Sequence, residues 1–154
     1  MKKFFEIIKS AGVASYLCIA AALFGLAGTI IFSVTNSTAG YAVANGGIGI
    51  ALGFVAVAVL VVSIFLPQKF KADLIVVAVL RLVAMVLFFL DISLLVLSRA
   101  ELASALLTWD SHNQVGWNTL YVSIAGVAMF IISSLCIIVG AFFGKGSKES
   151  VRVA

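Results

Sequence analysis

The chain has 154 residues, of which 64% are hydrophobic and 10% charged, with a single proline and a mean hydropathy of +1.26. Soluble globular domains carry about 45 to 50% apolar and about 25% charged residues, so this composition excludes a soluble domain and indicates an integral membrane protein. The net charge of +4 would suggest nucleic acid in a soluble chain. Here the basic residues fall in short connections and the tail, where they read as topology signals, and no nucleic-acid partner is expected.

Taken in order, the stretch MKKFFEIIKS sets Phe4, Phe5, Ile7 and Ile8 against Lys2, Lys3, Glu6 and Lys9, the pattern of a short amphipathic helix in the headgroup region. The first apolar run, 11–34, is too long for a signal-peptide core of about 7 to 15 residues and reads as a retained transmembrane helix. A polar, glycine-rich connection, 35–47, carries an N-glycosylation sequon at Asn36, Ser37 and Thr38. The second run, 48–66, is expected to stop at Pro67, whose ring opposes helix continuation. A basic turn holding Lys69 and Lys71 leads into the third run, 73–98. In the following connection, 99–117, Leu102, Leu106 and Trp109 keep helical spacing, so the loop is expected to be partly helical, projecting beyond the bilayer or lying on it. Trp109, Trp117 and Tyr121 supply anchors at headgroup level. The fourth run covers 118–143, and a short polar tail, 144–154, closes the chain.

Lys2, Lys3, Lys9, Lys69, Lys71, Lys145, Lys148 and Arg152 collect on one side, against Arg99 alone on the other. The positive-inside rule then places both termini in the cytoplasm, with a bacterial plasma membrane as the expected setting. The fold class that follows is an all-α integral membrane protein: one domain, four transmembrane helices, an antiparallel up-down bundle. This layout of four helices, two outer loops and cytoplasmic ends resembles, in architecture alone, the pattern of claudin-like and MARVEL-like proteins. The second outer loop is the longer one and the paired loop cysteines of that group are missing, so no family is assigned.

Lipid does not drive helices together as water does, so small residues that permit close approach mark contact faces. Helix one has Ala21, Gly25, Thr29 and Ser33 at four-residue spacing; helix two has Gly46, Gly49, Gly53 and Ala56; helix four has Gly126, Ser133, Gly140 and Gly144. These faces serve packing within the chain or, most plausibly at Gly49 and Gly53, a partner subunit. Cys18 and Cys136 sit in mid-run and read as buried free thiols.

The third run carries Arg81 and Asp91 among 18 Leu, Ile, Val and Phe residues between Leu74 and Leu97. Those residues favour insertion by roughly 5 to 11 kcal/mol, and the two charges take back about 5 to 7. Ten residues separate the charges, about 15 Å along an ideal helix, so they cannot pair. Arg81 can snorkel to the inner headgroups. Asp91 is too short for that, and is either protonated, hydrogen-bonded to a group such as Ser63, Thr29 or Tyr121, or turned toward a wet cavity or a charged partner. It is either a polar clasp between helices or an ion or proton site.

His112 and Asp110 do not make a metal site, and no nucleophile with a placed base, phosphate-binding loop or dinucleotide fingerprint is present. The expectation is a non-enzymatic accessory or structural subunit of a membrane complex, in contact with lipid and with other membrane proteins or itself, and without a cofactor. The alternative is a small oligomeric transporter or channel in which Arg81 and Asp91 line a polar path.

Overall fold

Long apolar segments fold as helices in lipid because a helix pairs each backbone N–H and C=O within the segment. The computed structural model describes residues 13–38, 40–70 and 74–143. Within them lie four helices, α1 (Val13–Asn36), α2 (Gly46–Phe70), α3 (Leu74–Thr108) and α4 (Gln114–Phe143), and no strand. All four are long and apolar enough to cross a membrane. The amphipathic N-terminal helix and the polar tail expected from sequence lie outside the described residues.

Two boundaries differ from expectation. α2 continues through Pro67 to Phe70. A proline removes the intrahelical hydrogen bond to the carbonyl four residues back and can kink a helix without ending it. α3 does not stop near Ser98 but runs ten residues further, to Thr108. At 35 residues it extends about 52 Å, well past a hydrocarbon core about 30 Å thick. Its extension is anchored by Leu106, which is buried against Gly116 at the start of α4.

Each helix has two principal neighbours, α1 packing on α4 and α2, and α3 on α2 and α4. Across α1 and α4 the contacts pair Leu17 with Gly140, Ala21 with Ser133, Gly28 with Phe130 and Ile31 with Gly126. The interior holds Ala21, Phe32, Ala56, Leu60, Ala84, Phe88, Leu95, Phe130 and Ile137. Large apolar side chains such as Ile75, Leu97 and Phe142 point outward, while Thr29, Ser63, Asp91, Ser123 and Ser133 point in. That polarity suits an apolar solvent, where the polar groups are the ones that gain from burial.

Most inward hydroxyls are satisfied locally. Thr29, Ser63, Thr119 and Ser134 each donate to a carbonyl three or four residues back in their own helix. Ser133 instead crosses to α1 and donates to the Ala21 carbonyl at 2.7 Å.

Candidate functional site

The buried face of α3 contains Ala84, Phe88, Asp91, Leu95, Arg99 and Leu106. These positions repeat at intervals of three, four and seven residues and so form one stripe along a helix. Asp91 and Arg99 therefore face the same interior, eight residues apart, about 12 Å along the axis. Their surroundings differ.

Asp91 is fully buried, and neither carboxylate oxygen has a hydrogen-bond partner. It faces the crossing of α1 and α2. A methyl group added at Gly53 would sit 2.5 Å from Thr29 Oγ1 and 3.1 Å from Asp91 Oδ2, so only a glycine lets α2 approach both. Of the three partners suggested by sequence, Thr29 is the one at this level. Its hydroxyl spends its hydrogen on the Gly25 carbonyl at 2.9 Å, so it can accept from a neighbour but has nothing left to donate. Ser63 donates to its own helix at Leu60, and Tyr121 is exposed on the outside of α4. Phe88, one turn away, fills the space over Gly25 and stacks at a tilt on Phe130, with ring centroids 5.5 Å apart.

Arg81 is half-buried, and its Nε is enclosed without a hydrogen-bond partner. Arg81 and Asp91 are not brought together.

Among the described residues, the glycines singled out by their spacing in mid-helix lie against neighbouring helices of the same chain, and Gly144 lies outside the described residues. Phe88 covers Gly25, Phe32 covers Gly49, Thr29 and Asp91 cover Gly53, Ile31 covers Gly126, and Ala14 and Leu17 cover Gly140. Cys18 and Cys136 are free. His112 is exposed in the connection between α3 and α4.

Arg99 is the residue that sequence reasoning missed. Counted there only as the lone outer charge at the end of the third run, it lies inside α3 and is 6% exposed. Its guanidinium joins three elements. Nε donates to Ser123 Oγ on α4 at 2.9 Å, Nη1 to the Tyr41 carbonyl in the connection between α1 and α2 at 2.9 Å, and Nη2 to the Thr35 carbonyl at 3.3 Å. Thr35 belongs to the last turn of α1, whose carbonyls have no intrahelical donor and carry the negative end of the helix dipole. Arg99 thus caps α1 from a different helix. The signal was available: Arg99 lies four residues after Leu95 and seven before Leu106, on the stripe that already held Asp91.

The outer end is tied further by Asn113. It precedes α4, and its Oδ1 accepts from the Gly116 amide at 2.9 Å, an N-cap, while its Nδ2 reaches the Tyr41 hydroxyl and Asp110 Oδ2. Asn36 Oδ1 accepts from the Val43 amide at 2.8 Å, so the asparagine of the sequon serves the fold of its own connection. Trp117 and Tyr121 stack with centroids 5.9 Å apart.

No family model matches the chain, and comparisons with curated proteins and with solved structures found no match either.

Proposed function

We propose that this chain is a non-enzymatic four-helix membrane protein acting as an accessory or structural subunit of a membrane complex, in a bacterial plasma membrane, with both termini cytoplasmic. The up-down antiparallel arrangement is supported by the opposite order in which contact partners follow along α1 and α4, from Leu17 with Gly140 to Ile31 with Gly126. Orientation is supported by eight basic residues on one side against Arg99 on the other. The observation that carries the structural role is the enclosure of Asp91 at 0% exposure, shut in by helices of its own chain. A permeation path needs contact with water at some point along it, and at Asp91 the chain's own helices shut water out.

The test is extraction of native membranes in mild detergent after brief cross-linking, followed by sizing. Migration with other membrane proteins, in an assembly much larger than 16.2 kDa, is the expected result. A chain that migrates alone or only with itself rules out an accessory subunit.

The transporter or channel reading is favoured by one feature, the unpartnered Arg81 Nε and Asp91 oxygens. It requires ion or proton flux through reconstituted protein that Asp91→Asn abolishes while leaving folding intact. Absence of wild-type flux removes it.

A further inference from the structure

Asp91 is the middle residue of α3, fully buried, and neither of its carboxyl oxygens has a hydrogen-bond partner. Its surroundings offer acceptors and no donor. Backbone N–H groups in mid-helix are spent within their own helices. Thr29 Oγ1 and Asp91 Oδ2 crowd one point over Gly53, and the Thr29 hydroxyl has given its hydrogen to the Gly25 carbonyl at 2.9 Å. Phe32 and Leu94 meet over Gly49 on one side, and Phe88 covers Gly25 and leans on Phe130 on the other, so apolar side chains close the space around these oxygens. No charge reaches them along α3 either. Arg99 lies eight residues on and is engaged with three neutral oxygens, and Arg81 lies ten residues back, axial separations of about 12 and 15 Å.

Three oxygens with lone pairs, no hydrogen to share and no water call for a cation, because a bare carboxylate shut away from water loses its hydration for nothing in return. Ligand number decides which cation. Oxygen-seeking metal ions such as calcium and magnesium take about six or more ligands and make up a shortfall with water, which the closed interior does not supply. A proton needs one oxygen to carry it and one to accept its hydrogen bond. We infer that Asp91 is a proton-binding site: in the folded chain it is a carboxylic acid, with Thr29 Oγ1 as the acceptor open to its hydrogen. The site is then electrically neutral, and hydrogens run in one direction from Asp91 on α3 to Thr29 and on to the Gly25 carbonyl on α1. Enclosure keeps the proton in place, since water admitted beside Gly53 would hydrate the carboxylate and let the proton go. The site rests on neither reading of function, because a subunit can hold this proton as well as a transporter can.

Infrared difference spectra of the full chain in bilayers, taken in heavy water at neutral pH against Asp91→Asn, test the inference. The carbonyl band of a protonated carboxyl should be present in the wild type and missing from the variant, while the exposed Glu101 and Asp110 cancel in the difference. Asp91→Asn is close in shape and should keep its helical circular dichroism. Thr29→Val takes away the acceptor and should move the band to the higher frequency of a carboxyl without a hydrogen bond. Melting temperatures should be the same in sodium chloride and in choline chloride. Loss of carboxylate bands in place of the carbonyl band overturns the inference, as does a band that Thr29→Val leaves unmoved. So does a rise in melting temperature with sodium that Asp91→Asn abolishes, which would give the site to a metal ion.

Discussion

Asp91 and Arg99 stand on one face of one helix, both enclosed, yet one has three hydrogen-bond partners and the other has none. The difference follows from what each depth can offer. In mid-span every backbone N–H is engaged within its own helix, so only side chains can donate to Asp91, and the nearby hydroxyl, Thr29, has already donated to Gly25. At the end of α1 and in the connection beyond it, the carbonyls of Thr35 and Tyr41 lack helical donors, and a cation arriving from α3 meets acceptors that need it. A donor-rich side chain belongs at helix ends. A carboxyl in mid-span meets no free donor there.

If that contrast is right, the largest loss comes from Arg99→Met. It leaves the Thr35 and Tyr41 carbonyls and Ser123 Oγ without their donor and should cost about 3 kcal/mol or more in reversible unfolding by denaturing detergent. Arg99→Lys should recover only part of this, because an ammonium cannot reproduce the fork that reaches three acceptors. Next comes Gly53→Val, which forces α2 away from Thr29 and Asp91 and should cost about 1 to 3 kcal/mol in the same assay. Ser133→Ala removes a hydroxyl bond that crosses from α4 to α1, and a loss of about 0.6 kcal/mol is expected. Asp91→Asn should change stability by less than about 1 kcal/mol, since no hydrogen bond is lost. A loss at Asp91 as large as that at Arg99 would break the comparison, because it would require a partner for the carboxyl from another chain or from lipid.

Much of the architecture was legible beforehand. Four apolar runs of spanning length, the contact roles of the small residues, and Asp91 as a charge that must face inward all follow from the cost of exposing polar groups to lipid. The stop at Pro67 was misplaced by three residues: α2 runs on to Phe70, since a proline can kink a helix without ending it. The helical spacing of Leu102, Leu106 and Trp109 pointed to helix beyond Ser98, and there the structure continues α3 to Thr108, covered where Leu106 meets Gly116.

Sequence by itself determined that the chain has four segments long and apolar enough to cross a membrane as helices and that α3 carries two charges needing explanation, since length and apolar content depend on no neighbour. Only the tertiary structure decided that Arg99 caps α1, that Gly53 brings Thr29 and Asp91 to one point, and that Arg81 and Asp91 remain apart. Those outcomes depend on how the helices are rotated and on which carbonyls are left unpaired where two elements meet, and a one-dimensional pattern carries neither.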